Sequence, residues 1–174
     1  MNDTTRPADE YIVEDIVNEI APRPVAKAEM MKMDGYHIMK GMMDGLMPPP
    51  PIAEILDFRI RRIARGECDF KGPAKPEFCN PYGTVHGGYL ATLLDSAMTC
   101  AVQTTLPPAT ACTTVEMKVN YVRAVPGDGR MLHARARLIH GGHKLMTSEA
   151  RLEDETGKLY AHSTTTVMAL PLQG

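Results

Sequence analysis

The feature that most constrains the fold is a long stretch without helix breakers, between the pair Gly87-Gly88 and Pro107. Its apolar residues recur at i, i+3, i+4, i+7 and i+11, the spacing of one face of an α-helix. They are Leu90, Leu93, Leu94, Ala97 and Ala101. The other faces carry small residues, namely Ala91, Ser96 and Thr99. This pattern predicts one central helix that a sheet can wrap closely.

The segments around this helix have the two-residue period of β-strands. After it, apolar Val115, Met117, Val119 and Tyr121 alternate with Thr114, Glu116, Lys118 and Asn120. Short Gly-containing turns separate the segments, so consecutive strands are expected to pair antiparallel. The predicted order is β-β-α-β-β-β-β, with strands near residues 58–64, 67–70, 114–121, 132–138, 144–153 and 159–170.

The N-terminal third differs from the rest in composition. The chain has thirteen methionines, and the segment 30–47 is crowded with them. A short helix is predicted around residues 36–43, either packed on the main domain, which we favour, or acting as a flexible lid over an apolar pocket. The prolines 48–51 predict a stiff, extended connector. The expected organisation is an N-terminal Met/Pro-rich helical extension and linker (1–50) followed by a single domain (51–174).

Composition excludes several classes of protein. The formal net charge is −2, and the basic residues are spread along the chain, which argues against a nucleic-acid partner. The four cysteines form no C-x-x-C pair and the polar N-terminus is unlike a secretory signal, so a cytoplasmic location with reduced thiols is expected. No apolar run approaches the ~20 residues of a membrane span.

The residues best suited to catalysis are Asp95 and those of the segment Asn80-Pro81-Tyr82-Gly83-Thr84-Val85-His86-Gly87-Gly88. Two glycines at a helix start let a substrate approach the backbone, and their N–H groups, aligned with the helix dipole, suit a developing oxyanion. Asp95 lies in a mostly apolar helix, where a carboxylate is costly unless it is paired or functional. It could act as nucleophile or as general base, and both roles stay open.

This motif resembles that of the hotdog thioesterases of the phenylacetate-pathway (PaaI) type, N-x-x-G-x-x-H-G-G followed seven residues later by an acidic residue. The resemblance extends over roughly residues 50–170. It implies an α+β hotdog fold, an antiparallel sheet wrapped around one long helix, and hydrolysis of aromatic or medium-chain acyl-CoA. It also implies that Asn80 orders water or substrate, that His86 holds the loop, and that Thr114 supplies a hydroxyl that assists the water.

The spacing of the two reactive groups bears on assembly. Asp95 lies eight residues beyond Gly87, about 12 Å along one helix at ~1.5 Å per residue. One subunit therefore cannot easily apply both groups to one carbonyl. We expect the Gly87 N–H of one chain to face Asp95 of its partner, in a homodimer with two composite sites. The resemblance implies the same arrangement, and a homotetramer beyond it.

Further residues are candidates for holding the substrate. Gly88 permits close backbone approach, and Thr113 is an adjacent rival of Thr114 on the opposite strand face. Cationic groups near strand ends could meet the phosphates of coenzyme A, and the candidates are Arg123, His143 and Lys144. The histidines do not reproduce a metal-ligand spacing, so neither a metal nor a cofactor is expected.

Two other functions compete with hydrolysis. A hotdog hydratase or dehydratase would need an acid/base histidine paired with a carboxylate, whereas a backbone donor with an aspartate suits attack on a carbonyl. A non-catalytic acyl-CoA sensor would keep the pocket, but would have little reason to retain Asp95. Hydrolysis is therefore the favoured function, and the acyl specificity is left open by the sequence.

Overall fold

An antiparallel sheet laid around one helix dominates the computed structural model, which describes residues 11–12 and 25–172. The strands are β1 (Tyr11–Ile12), β2 (Arg59–Ala64), β3 (Glu67–Pro73), β4 (Thr110–Tyr121), β5 (Met131–Gly141), β6 (Leu145–Asp154) and β7 (Leu159–Pro171). The helices are α1 (Lys27–Met30), α2 (Gly35–Met43), α3 (Pro51–Ile55) and α4 (Gly87–Gln103). The strand order is β1-β2-β3-β5-β6-β7-β4.

The predicted hotdog architecture is confirmed, with the short β1 added at one edge of the sheet. Most of the first half of the predicted N-terminal extension, residues 1–10 and 13–24, lies outside the described residues. The predicted proline connector is one residue too long, because Pro51 opens α3. Proline suits that position, where the missing N–H has no helical partner. None of the helices in the described ranges is long and apolar enough to cross a membrane.

The core lies between α4 and the concave face of the sheet. The predicted apolar face of α4 is buried, with Leu93, Leu94, Ala97 and Ala101 fully inaccessible to solvent. The sheet approaches the helix closely at Gly72 of β3, where an added Cβ would lie 2.5 Å from the hydroxyl of Tyr89 on α4. Small side chains on α4 and a glycine on β3 therefore allow the tight wrapping expected from the sequence.

One edge of the sheet is formed by β4, which pairs with β7 and with no other described strand. The expectation that consecutive strands pair is therefore wrong for β4 and β5, because the connection at residues 122–130 carries the chain from this edge to β3, which β5 joins. Its predicted alternation is only partly correct. The register shifts between Thr114 and Glu116, so Val115 sits in a bulge and is 55% exposed. Tyr121, at the end of the strand, is 50% exposed. Met117 and Val119 do pack on the core, so the strand keeps part of its predicted apolar inner face.

Helix α2 begins one residue before the prediction, and its start is attached to the main domain. The Asp34 side chain caps the helix by accepting the N–H of His37 at 2.9 Å. Arg65, which follows β2, donates to the other carboxylate oxygen of Asp34 at 2.8 Å. The N–H of Gly35 donates to the carbonyl of Leu106, beyond the end of α4, at 3.0 Å. These bonds join α2 to two elements of the central domain.

Replacing Asp34 by alanine is expected to lower the free energy of unfolding by about 1–2 kcal/mol, because a helix cap is lost. Asp34→Asn keeps a capping oxygen and should cost less. Burial raises the pKa of Asp34, but hydrogen bonds from Arg65 and His37 outweigh it and hold that pKa well below its ordinary value. The ionised form therefore stabilises the fold above the unfolded pKa, and this contribution is lost as pH falls through the folded value.

Denaturant titrations of wild type and Asp34→Ala between about pH 7 and pH 2 measure this effect, since the stability gap should narrow with acid. A gap that is independent of pH would show that the carboxylate charge contributes nothing.

Candidate active site

Asp95 occupies the middle of α4, on the side that faces β4. Its Oδ1 accepts a hydrogen bond from the Thr114 hydroxyl at 2.7 Å. The hydroxyl of Thr99, one helical turn further along, lies 3.4 Å from the same oxygen and 2.9 Å from the Thr114 hydroxyl. No described residue donates to the second oxygen, Oδ2. The carboxylate is thus oriented through one oxygen while the other remains available to a substrate or water.

The start of α4 holds the two glycines, but only one of them has an N–H available. His86 is the N-cap, and its Nδ1 accepts the N–H of Gly88 at 2.9 Å. For Gly87, by contrast, no described residue accepts its N–H. The expectation of two free donors is therefore corrected to a single donor at Gly87. The capping bond also fixes the orientation of the His86 ring, because Nδ1 can accept this bond only when it carries no proton.

Asn80 closes the loop that precedes the helix. Its Oδ1 accepts the N–H groups of Tyr82 at 2.9 Å and Thr84 at 3.3 Å, and its Nδ2 donates to the Thr84 hydroxyl at 2.9 Å. Gly83 has a φ of +78°, a conformation that favours glycine. The Asn-x-x-Gly spacing of the motif therefore builds a tight turn that positions His86 and Gly87.

Tyr121 contacts the same helix start, and the sequence held no signal for it. Its hydroxyl donates to the carbonyl of Gly87 at 2.9 Å, across 34 positions in the chain. Its ring is so close that a Cβ on Gly87 would lie 3.2 Å from the ring carbon Cζ. Burial raises the pKa of Tyr121, so its hydroxyl stays a neutral donor. A side chain at position 87 would therefore press on this ring.

Gly87 and Asp95 line different cavities of the chain. Gly87 and Tyr121 share a groove of about 370 Å³ with the predicted phosphate-binding residue Arg123. Asp95 opens into a separate cavity of about 690 Å³, which Thr113 and Thr114 also line. Within one subunit, the two groups expected to act on one carbonyl are therefore kept apart.

The two remaining cationic candidates lie elsewhere. His143 and Lys144 are exposed in the turn between β5 and β6, and neither lines one of these two cavities. The carbonyl of Lys144 accepts the N–H of Ala169, near the end of β7 that pairs with the start of β4. They therefore lie at the opposite end of β4 from Gly87 and Arg123.

The large cavity joins Asp95 to the methionine-rich segment. Its apolar wall comes mainly from α2, the following loop, α3 and the start of the sheet, and includes Met39, Met42, Met43, Met47, Ile52, Phe58 and Phe70. Of the two interpretations of this segment, the packed helix agrees with the contacts of α2. The same helix also lines the cavity, so the apolar pocket that the lid interpretation expected is present beside a packed helix.

The thiol of Cys112, near Asp95, is not a rival nucleophile. Burial, and then the nearby Cys100 and Asp95, raise the pKa of the Cys112 thiol to about 12. The thiol therefore stays protonated at neutral pH and is a poor nucleophile. Within residues 11–12 and 25–172, no group of His, Cys, Asp or Glu side chains is arranged to hold a metal ion.

Thr99 is the residue nearest to Asp95 that sequence reasoning did not select. It was noted only as a small residue on the helix, although its position four residues after Asp95 places both on one helical face. That spacing was the available signal. Thr113, the rival of Thr114, is exposed and lines the cavity without a hydrogen bond to Asp95 in the described residues.

Comparison with known proteins gives consistent results. Residues 82–161 match the family model of the thioesterase superfamily. A solved structure of a phenylacetic acid degradation-related protein from Ralstonia eutropha is 30% identical, with a TM-score of 0.69, over 75% of this chain and 98% of that one. The phenylacetic acid degradation protein PaaI from Thermus thermophilus, solved as a mutant, is also 30% identical, with a TM-score of 0.63, over 68% and 98%.

A thioesterase family protein from Silicibacter pomeroyi is 26% identical, with a TM-score of 0.68, over 76% of this chain and 98% of that one. No curated protein sequence shows a significant match.

Proposed function

Since this chain belongs to the thioesterase superfamily, as a hotdog thioesterase of the PaaI type, we propose that it hydrolyses an aromatic or medium-chain acyl-CoA at a site shared by two subunits. The chain is a thioester hydrolase, and acyl-CoA is the substrate class that the family implies. The observation that carries the proposal is the position of Asp95. An oriented carboxylate with one free oxygen opens into a large, mainly apolar cavity.

The shared site follows from the separation of the two reactive groups. A second copy paired along the exposed edge of β4 would continue the sheet, and a twofold axis makes such a pair antiparallel. With the axis near Met117 and Lys118, Tyr121 would lie opposite Thr114 of the partner subunit. Gly87, held beside Tyr121, would then approach Asp95 of the partner subunit. The exposed Val115 and Tyr121 would be covered by the same contact.

Each group has a defined part in the reaction. The Gly87 N–H donates to the thioester carbonyl oxygen and stabilises the negative charge that develops there. Asp95 of the partner subunit takes a proton from water as the water oxygen attacks the carbonyl carbon. The tetrahedral intermediate then collapses and the carbon–sulfur bond breaks, and the leaving sulfur takes the proton that Asp95 of the partner subunit had removed from water, which restores the carboxylate and releases the acid and coenzyme A. Thr114 and Thr99 keep the carboxylate aligned.

Arg123 suits the coenzyme A portion of the substrate, because it borders the groove that contains Gly87. Its guanidinium already donates to the Leu159 carbonyl at 2.8 Å, which holds the charge at the edge of the groove. Asn80 and His86 act through the loop, since their described hydrogen bonds stay within it. A hydratase is not favoured, because the described partners of Asp95 are threonine hydroxyls and include no histidine.

Thioester hydrolysis is tested by incubating the purified protein with acyl-CoA thioesters and measuring the thiol released with a colorimetric reagent. The panel contains aliphatic chains of increasing length and aromatic acyl groups, since two relatives are named for phenylacetic acid degradation. We expect turnover of at least one substrate. If no thioester is hydrolysed but acyl-CoA raises the melting temperature, the chain is a sensor and the proposed hydrolysis is wrong.

A further inference from the structure

The cavity that contains Asp95 is chemically polarised. Where α4 meets β4 its lining is polar and contains Asp95, Ser96, Thr99, Thr113 and Thr114, and β2 and β3 add the cationic Arg59 and Lys71. Away from that end, Met42 and Met43 of α2 and Met47 of the following loop face it with thioether side chains. A ligand with a polar reactive end and a long apolar remainder matches such a cavity.

This methionine wall, which we define as Met39, Met42, Met43 and Met47, is held in place. Met39 and Met47 are buried, whereas Met42 and Met43 are half-buried. Met47 folds back on α2, since a Cβ on Gly41 would lie 3.0 Å from its Cε. The loop is closed by the N–H groups of Leu46 and Met47, which both donate to the Gly41 carbonyl. The wall is therefore a packed structure with flexible side-chain ends.

The methionine wall lies outside the part of the chain that the family model matches. That match covers residues 82–161, and the methionine wall lies well before it. The wall is held at the cavity by the bonds from Asp34 to Arg65 and from Gly35 to Leu106 and by the packing of α2 on the core. The catalytic groups and the far end of the cavity thus come from different parts of the chain.

We propose that the cavity receives an aliphatic acyl chain and that Met42 and Met43 set the chain length the enzyme accepts. This inference rests on the proposed thioesterase function and specifies its substrate. The reacting carbonyl lies at the Asp95 end and the tail extends to the methionine wall. Methionine side chains adapt their shape to a flexible chain at little cost.

Cavity size favours a chain over a small acyl group. At about 690 Å³, the space is in the range that holds a drug-sized ligand. An acetyl group or a single aromatic ring would leave much of the lining without contacts, and unfilled apolar space forfeits dispersion attraction. Each further methylene that reaches the wall should instead raise kcat/KM by about fourfold, until the cavity is full.

The test compares Met42→Phe and Met43→Phe with wild type on saturated acyl-CoA thioesters from acetyl to palmitoyl. We expect the best chain to become shorter by a few carbons, with at least a tenfold loss for the longest chains. Short acyl groups that do not reach the wall should change by less than about twofold. Leu46→Phe is the matched control, because Leu46 lies in the same segment, is 58% exposed and does not line the cavity.

Two results would overturn the inference. Equal losses at every chain length in proteins with unchanged melting temperatures would mean that the substitutions do not act through chain length, and an unchanged profile would mean that the wall does not meet the acyl chain. Melting temperatures identify a folding defect, in which case Met43→Ala is used and should favour longer chains.

Calorimetric affinities for the same thioesters, measured with Asp95→Asn also present so that the ligand is not consumed, give a readout that does not depend on turnover. If wild type hydrolyses none of them, the proposed function fails, yet affinity that rises with chain length and falls in Met43→Phe would still support the wall. Affinity independent of chain length would reject it.

Discussion

Replacing Asp95 by asparagine is expected to lower kcat by about 10²–10⁴-fold, the contribution typical of a positioned acid/base group. The change is nearly isosteric, and the amide oxygen can still accept the hydroxyls of Thr114 and Thr99, which lie 2.7 and 3.4 Å from Oδ1. Only the carboxylate charge and its basicity are removed. Steady-state thiol release measures the effect, with melting temperature and oligomeric state as checks on the fold.

Variants of Thr114 and Thr99 separate the chemical role of the Asp95 carboxylate from the alignment of that carboxylate. Thr114→Val removes the hydroxyl that orients Asp95 but leaves the carboxylate, so a smaller loss of about 10- to 100-fold is expected. Thr99→Val should cost less again, because its hydroxyl is the more distant one. An Asp95→Asn protein that turns over substrate as fast as wild type would remove Asp95 from the mechanism.

Replacing Gly87 by proline is expected to lower kcat by about 10²–10³-fold relative to Gly87→Ala, because it removes the oxyanion donor. The backbone at this position suits proline, because Gly87 is the first residue of α4 and His86 before it is extended with ψ of 135°. Both variants add a Cβ that presses on the ring of Tyr121, so alanine controls for that contact. Equal activities of the two variants would show that the Gly87 N–H does not act in catalysis.

Mixing the two inactive variants tests whether the site is shared. A composite site needs Gly87 from one chain and Asp95 from another. After denaturation and joint refolding, Asp95→Asn and Gly87→Pro chains should regain about one quarter of wild-type activity, in a dimer or a larger assembly. If both groups came from one chain, no mixed assembly would contain an intact site and no activity would return.

The succession of strands along the chain and the central helix were predictable because both depend on local periodicity, whereas the position of β4 in the sheet, beside β7 and not β5, was not. The apolar spacing of α4 and the alternation in the strands reflect which side chains face the core, and those faces are the ones found buried. The alternation failed at Val115, where the bulge next to Thr114 depends on pairing with β7, which a local pattern cannot reveal. Strand β4 begins at Thr110, before the predicted start near residue 114, and these added residues depend on the same pairing with β7.

The residues of the candidate site were likewise only partly predictable from the sequence. The motif that contains Asn80, Gly83, His86 and Gly87 was recognisable because its hydrogen bonds join residues close in the chain. Tyr121 was missed because its bond to Gly87 spans 34 positions. Nδ1 of His86 accepts the N–H of Gly88, which leaves the N–H of Gly87 as the donor. The sequence did not reveal this, because it depends on the orientation of the His86 side chain.

By itself, the sequence determined the fold class, the helix start and the carboxylate on which the chemistry is proposed to depend, since each is encoded in residues close together in the chain. Tertiary packing was needed to show that Gly87 and Asp95 line separate cavities and that methionines of α2 line the cavity that contains Asp95. The physical reason is that a cavity is the space between elements. Its shape depends on how α2, α4 and the sheet pack together, and no single segment contains that information.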